Sequence, residues 1–439
     1  MKQGAAVMLL MLIAWPAHAG PMTLADIVER VLATHPDLTI SRLDTSIAGT
    51  ETQRISGTLD PVITARLGVS DEKIPTLSDF QASQTRFGQV AAGVSKPLAS
   101  GGTLSAEIDY NRTNLGFNSP FASNLARFNP AYRNEISLSY RHPLLRGAGR
   151  PEYHEALAAA QADIEAAGLQ QQVIAQNLSL QALDLHFQLI SDDVNIRLAE
   201  QTVERARRLL AYQHRREKFG LVEASDRLQA EALLAARQLE LEQAKARRAA
   251  NQTALNRLML RMPDAPLTIA LTPEYRNPPA PDFVTALEKA SKNRPELKAL
   301  NSQLQAAEAR LLQVRDTERV QLDIVAELGS RALNDSAGKA FQQGFSLNDR
   351  YAALSLEVSE VVGNNAANAS IRNAELTRQR VMAEKTRMQE LIKDDLAVAI
   401  TTINTTRATL ARARKREKAE RLKFEAEIQR YREGRSDTA

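Results

Sequence analysis

Residues 63–70 read Ile63-Thr64-Ala65-Arg66-Leu67-Gly68-Val69-Ser70, with Ile63, Ala65, Leu67 and Val69 on one face and Thr64, Arg66, Gly68 and Ser70 on the other. A period of two is that of a half-polar β-strand. The pattern returns where Leu104, Ala106, Ile108 and Tyr110 alternate with Ser105, Glu107, Asp109 and Asn111, and where Ile136, Leu138 and Tyr140 alternate with Ser137, Ser139 and Arg141. Further along, Leu322, Ile324, Ala326 and Leu328 alternate with Asp323, Val325 and Glu327, and Leu354, Leu356 and Val358 with Ser355, Glu357 and Ser359. Such strands fit a membrane barrel with lipid outside and water inside, because only helices and closed barrels satisfy backbone groups in lipid. They fit equally a soluble sandwich with one solvated face. The strands alone leave both open.

Outward from the strands the chain is duplicated. Ile27-Val28-Glu29-Arg30-Val31, followed by His35-Pro36-Asp37-Leu38, matches Ala286-Leu287-Glu288-Lys289-Ala290, followed by Arg294-Pro295-Glu296-Leu297, at a constant offset of 259. Each copy is a short helix stopped by proline, then a second helical stretch (Thr39 to Ser56, Lys298 to Thr317) that leads into alternation. The expected repeats are 20–262, with strands within 62–141 and a helical hairpin at 151–262, and 282–439, with strands at about 321–329 and 351–360 and a long helix at 365–432. A linker with six prolines, Pro263 to Pro281, separates them.

The remainder reads as long helix. From Glu152 to Lys218 there is no proline, and Leu189, Ile196, Val203 and Leu210 fall at seven-residue spacing, with Leu185, Ala199 and Ala206 on the same stripe. Phe219-Gly220-Leu221 signals a reversal, with Ser225 and Asp226 expected to help cap the returning helix. That helix carries two stripes, Leu221, Leu228, Ala235 and Ala249 on one and Leu234, Leu241, Leu255 and Met262 on the other. Two stripes imply two helical neighbours, as in a wall; a free-standing dimeric coiled coil is the alternative. The same design recurs from Asn365 to Arg432, where Leu396, Ile403 and Leu410 keep the heptad.

At the N-terminus Lys2, the apolar run Ala5 to Trp15, Pro16 and the small residues Ala17 and Ala19 read as a cleaved export signal, residues 1–19, with Gly20 as the first mature residue. The only tryptophan leaves with it. No other apolar stretch reaches the 18 residues of a membrane helix. Of the 439 residues 25% are charged, 56 basic against 52 acidic, so the formal charge of +4 is small for this length and no nucleic-acid partner is expected. The absence of cysteine excludes disulfides, thiolate metal sites and a cysteine nucleophile.

Together these features resemble the TolC-type outer-membrane efflux and secretion ducts. The resemblance is carried by the openings Pro36-Asp37-Leu38 and Pro295-Glu296-Leu297, the strand exits Arg141-His142-Pro143-Leu144-Leu145-Arg146-Gly147 and Val361-Val362-Gly363-Asn364, and the turn Phe219-Gly220-Leu221-Val222. It implies a mostly α fold with membrane β: duplicated helical hairpins forming a periplasmic tunnel, and a homotrimer in which each copy gives four strands to one barrel in outer-membrane lipid. It also implies docking, at the hairpin turns, with a periplasmic adaptor protein and an inner-membrane pump, and strand-to-helix bends at Pro143, Leu144 and Leu145 and at Gly363 and Asn364.

Three departures stand out. Val361 occupies the place of Pro143, so the second bend lacks a rigid proline. The first strand region is about forty residues longer than the second, with a possible extra hairpin around Phe87 to Tyr110 and the aromatics Phe117, Phe121, Phe128 and Tyr132, expected as an enlarged external loop in which the aromatics either anchor at the interface or simply pack the loop. Finally, Glu433-Gly434-Arg435-Ser436 aligns with the first turn at an offset of 214, so Gly434, Arg435 and Ser436 are a second expected docking turn. No returning helix follows, and the chain is expected to be a shortened, poor duct.

No catalytic pattern emerges. The six histidines have no metal-ligand spacing, and there is no HExxH, GxSxG or P-loop, so neither an enzyme nor a cofactor is expected. The alternative function is a structural coiled-coil or adhesin-like envelope protein without a pore. Around the turns the chain is basic, with Arg205, Arg207, Arg208, Arg215, Arg216 and Lys218 on the first hairpin and Arg412, Arg414, Lys415, Arg416, Lys418, Arg421 and Lys423 on the last helix. These charges either mark docking or simply solvate the tips.

Overall fold

The structure, a computed structural model, describes residues 21–270 and 279–432. The leader and the expected turn at Gly434, Arg435 and Ser436 lie outside the described residues. In chain order the elements are α1 (Leu24–Thr34), α2 (Pro36–Ser56), β1 (Val62–Lys73), β2 (Ala82–Pro97), β3 (Thr103–Phe117), α3 (Pro120–Leu125), β4 (Ala131–Pro143), α4 (Pro151–Lys218), α5 (Ala224–Leu258), α6 (Phe283–Asn293), α7 (Pro295–Arg315), β5 (Gln321–Asn334), α8 (Ala337–Phe345), β6 (Arg350–Ser359) and α9 (Asn365–Arg432). At 1.5 Å per residue, α4 and α9 are each about 100 Å long. Proline opens α2, α4 and α7, where its missing N–H costs nothing.

The chain forms two compact units, residues 21–43 with 170–281 and residues 44–169 with 282–432. The first is helical. A capping box starts α1: the Thr23 hydroxyl accepts from the Asp26 amide at 3.3 Å, and the Asp26 carboxylate accepts from the Thr23 amide at 2.9 Å. Ile27 and Val31, four residues apart on one face, are fully buried among Leu178, Ala182, Leu189, Leu255 and Met259. Leu267 and Ile269 join this core, and a parallel bridge holds them in place, with the Met22 amide donating to Thr268 O and the Ala270 amide to Met22 O, both at 2.9 Å. The first part of the proline-rich linker is thus a packed segment.

On α4, Leu189, Val203 and Ala206 are buried, while Ile196 and Leu210 are half-buried. Of the two stripes on α5, the one containing Leu255 packs inward, whereas Leu228, Ala235 and Ala249 are exposed. The helix begins at Ala224 with Glu223 in the cap position, so Ser225 and Asp226 are already helical. They are not the cap that the sequence pattern led us to expect, although Asp226 still sits favourably in the first turn.

The second unit holds the sheet, α6, α7 and α9. Ala306 and Ala309 of α7 meet Ala159 and Ala162 at the start of α4, small residues that let two helix backbones approach closely. Arg315 and Arg378 bind Glu375 and Glu308 across α7 and α9 at 3.4 and 3.2 Å. Beyond about residue 401 nearly all of α9 is exposed, including Ile403 and Leu410.

All six strands pair antiparallel in sequence order. This corrects two expectations: the sheet has six strands instead of four, and the extra segment is no external loop. β2 and β3 are inserted between β1 and β4, with Val90 opposite both Leu67 and Tyr110 and Ile108 opposite Ile136. The possible hairpin around Phe87 to Tyr110 is β2 with β3, although Gly88, Gln89, Ala91 and Gly93 blunt the alternation of β2. Strand lengths of 10 to 16 residues all reach the roughly 10 residues a tilted strand needs to cross a bilayer core. Among the described residues no helix is long and apolar enough to cross a membrane.

Candidate functional site

The register puts the alternating residues of all six strands into two continuous faces. One carries Ile63, Leu67, Val90, Val94, Ala106, Ile108, Ile136, Leu138, Ile324, Leu328, Leu354 and Val358. Tyr140 stands toward the end from which β4 leads to α4 and the stacked pair Tyr110 and Tyr132 toward the opposite end, while the Asp71–Arg86 ion pair lies beyond the apolar band. Apolar belts edged by aromatics are what a barrel presents to lipid.

The opposite face is ionic. Arg141 reaches Asp323 at 2.9 Å and Glu357 at 2.6 Å, linking three strands. Glu135 accepts from Arg331 at 2.9 Å, Arg133 at 3.0 Å and the Tyr351 hydroxyl at 3.1 Å. A Cβ at Gly329 would lie 2.5 Å from the Tyr351 ring, so glycine is what lets that ring lie across the sheet. Such a network suits a wetted surface, where the ions keep part of their hydration.

At the end of the sheet away from the long helices, α8 covers part of the apolar face. Asn134 is buried beneath it and donates to Phe341 O at 3.1 Å, while the Tyr110 hydroxyl donates to Ala337 O at 3.2 Å. Of the aromatics expected in a large loop, Phe121 contacts Phe80 edge-on, and Phe117 and Tyr132 end strands.

Both strand-to-helix bends lie in the second unit, and the structure brings them together. At the first, Leu144 N–H continues the ladder to Leu322 O at 2.7 Å, and the buried Asp316 accepts from Gly147 N–H at 2.6 Å. Gly147, Gly149 and Arg150 have positive φ of 83°, 70° and 49°. At the second, Gly363 and Asn364 have φ of 84° and 32°, and Asn364 Nδ2 donates to Thr317 O at 3.4 Å. Left-handed residues therefore turn the chain at both exits, and Pro143 is simply the last residue of β4, so Val361 at the second exit costs no bend. Arg146 from one bend and Gly363 and Asn364 from the other line a common polar cavity of about 380 Å³. Asp316 and the turn Leu98 to Gly102 belong to this junction and were not identified from sequence. Ser100-Gly101-Gly102 was the available turn signal for the latter.

The turn at 219–222 is a Schellman motif. Gly220 N–H donates to Glu217 O and Leu221 N–H to Arg216 O, both at 2.9 Å, with Gly220 at φ 67°. Phe219 and Leu221 are 78% and 64% exposed, and Val222 is half-buried. Several nearby cations are engaged: Arg227 pairs with Glu217 at 3.0 Å, Arg208 with Glu204 at 3.2 Å, and Arg216 lies over Tyr212. In the helical core His186 is fully buried with neither ring nitrogen hydrogen-bonded, and burial holds its pKa below the usual imidazole value. Among the described residues no group of histidines or carboxylates could hold a metal ion.

A sheet with one apolar and one ionic face, joined through two adjoining bends to helices about 100 Å long, has the fold of the TolC-type outer-membrane channels. Among solved structures, the outer-membrane channel OprN matches 94% of this chain over 81% of its own, at 18% identity and a TM-score of 0.65. CusC, a protein of transmembrane channel formation, matches 94% over 83% at 11% identity and 0.64. VceC, an outer-membrane protein of Vibrio cholerae, matches 94% over 86% at 14% identity and 0.63. No protein-family model matches the sequence, and no curated protein does.

Proposed function

We propose that the protein is a passive outer-membrane duct, the channel subunit of a tripartite efflux or type I secretion system, working as a homotrimer. The observation that carries this reading is the six-stranded sheet whose register makes one face apolar and the other ionic. In lipid every backbone amide must be paired, so such a sheet is stable there only as part of a closed barrel, with its ionic face toward water. The cleaved leader would deliver the chain to the envelope, and the long helices would form the periplasmic tunnel wall. Exposed stripes such as Leu228, Ala235 and Ala249 on α5, and Ile403 and Leu410 on α9, are the sides by which wall helices meet neighbours.

A duct of this kind does no chemistry, so the energy comes from an inner-membrane pump reached through a periplasmic adaptor. The adaptor would dock on Phe219, Gly220, Leu221 and Val222, whose exposed apolar side chains on a rigid reversal suit a partner's groove. Gly434, Arg435 and Ser436 would serve as the second docking turn. The decisive experiment combines envelope fractionation with export. Outer-membrane trimers that need detergent for extraction, together with substrate accumulation in a deletion strain, are expected; a water-soluble elongated dimer would favour the adhesin-like alternative and overturn the duct.

A further inference from the structure

β1 and β6 are the two open edges of the sheet, and every residue of β1 is exposed, as are nearly all of β6. Ile63, Leu67 and Val69 at one edge and Leu354, Leu356 and Val358 at the other carry the lipid face out to its limits. In lipid an open edge leaves a row of amides and carbonyls unpaired, which no stable membrane sheet tolerates. Closure of one chain on itself is excluded by size. Six strands spaced about 4.8 Å apart and tilted about 40° enclose a radius of only about 6 Å, too narrow for side chains that point inward from every strand. Arg66, Glu107, Asp109, Glu135, Arg141, Glu327 and Arg331 all stand on the inward face.

The partner that fits these edges is a second copy. Six is an even number, so β1 and β6 run in opposite directions, and rotation about a barrel axis sets β6 of one copy antiparallel to β1 of the next. Both faces then continue across the seam. With the inner ends of the two strands level, Thr64 faces Glu357 and Arg66 faces Ser355, one diagonal step from the Glu357 carboxylate. Arg66 makes no ion pair or hydrogen bond among the described residues, so the seam offers it a counter-charge.

The added hairpin β2–β3 is a built part of this wall. Its inner turn is fastened to the first strand-to-helix bend: Gly149 N–H donates to Ser100 O at 3.2 Å and Arg150 Nη1 to Leu98 O at 3.0 Å. A Cβ on Gly101 would lie 2.5 Å from Gly147 O, so the contact is tight enough to require glycine, which also has φ 100° there. A loop folded away from the barrel would have no such anchorage.

We infer that the three copies of the proposed duct close edge to edge, β6 to β1, into one barrel of eighteen strands, six from each copy. The inference rests on the duct reading and adds two strands per copy to the four that the family resemblance implies. Its consequence is a wide mouth. At the same spacing and tilt, eighteen strands give a backbone diameter of about 36 Å against about 24 Å for twelve, so the cross-section roughly doubles. The chain is therefore built to pass bulkier cargo through the membrane than a four-strand subunit would.

The chain has no cysteine, which makes the seam directly testable. Thr64→Cys with Glu357→Cys, and Arg66→Cys with Ser355→Cys, are introduced pairwise with their one-step register neighbours, and the proteins are oxidised in outer-membrane fractions. Covalent trimers on denaturing, non-reducing gels are expected, and end-on electron cryomicroscopy of the purified trimer should count eighteen strands. A disulfide formed within one chain would mean self-closure and overturn the proposal. So would cross-linking of Thr64→Cys to Ser139→Cys on β4, which would mean that β2–β3 leaves the wall, and so would a count of twelve or the absence of any β1–β6 cross-link in intact trimers. Outer-membrane trimers that export substrate with twelve strands would refute the barrel size and leave the duct standing; failure to reach the outer membrane would refute the duct itself.

Discussion

Replacing Gly220 tests the turn between α4 and α5 most directly. Its φ of 67° is left-handed, and nothing lies within 4 Å of the place a Cβ would occupy, so the cost of a side chain is one of backbone conformation alone. Alanine in that region costs about 1–2 kcal/mol, and a β-branched residue about 2–3 kcal/mol, while asparagine costs less because its short polar side chain tolerates the conformation. At about 1.4 kcal/mol per factor of ten, Gly220→Val should raise the population of the opened turn by roughly 30- to 140-fold. The two amides held by Glu217 O and Arg216 O report this, since both bonds are lost when the turn opens. Hydrogen exchange at residues 220 and 221 in the purified protein should therefore rise in the order Gly, Asn, Ala, Val. If the chain is the proposed duct, export in cells should fall in parallel while the yield of folded protein holds, since the core at Leu189 and Leu255 is untouched. Wild-type protection and full export in the valine variant would refute the reasoning that a rigid reversal is what the partner binds.

Three further outcomes are expected. His186 is buried without a partner and its folded pKa lies below the ordinary value of 6.5, so the unfolded chain binds more protons; stability is complete above about pH 6.5 and falls as the pH drops below it. Urea midpoints at pH 7.5 and 5 should separate more in the wild type than in His186→Leu, and equal separations would count against this. Asp316→Ala leaves the Gly147 N–H without its 2.6 Å acceptor and should lower stability by about 1–3 kcal/mol, with faster exchange at Gly147, whereas a core change elsewhere would leave that amide protected. Leu255→Ala, at a fully buried site between α1, α4 and α5, should cost about 2–5 kcal/mol in thermal or denaturant unfolding; a cost below 1 kcal/mol would mean that this helical core does not hold as described.

Much of the molecule is legible in local sequence because the relevant physics is local. Alternation at 63–70, 104–111, 136–141, 322–328 and 354–359 is a period-two signal that survives any tertiary context. The unbroken run from Glu152 to Lys218 and the glycine of Phe219-Gly220-Leu221 likewise fix a helix and its end through propensity and φ freedom. What failed locally failed for a physical reason. β2 carries small residues where it packs between two strands, so its alternation is faint, and proline at the first exit drew attention from the left-handed residues that make the bend.

The kinds of element and their order follow from local chemistry, since hydrophobic period, proline and glycine act within a few residues. The common register of all six strands is a property of the folded sheet, because Arg141 meets Asp323 and Glu357 across separations of 182 and 216 residues that no local pattern encodes. Folding alone set α8 over Asn134 and brought the two bends to neighbouring residues, Gly147 to Asp316 and Asn364 to Thr317. A one-residue slip at any strand pair would have put Ile108 or Leu138 among the ions of the opposite face. The burial of one face and the pairing of charges on the other are collective terms, and they select the register.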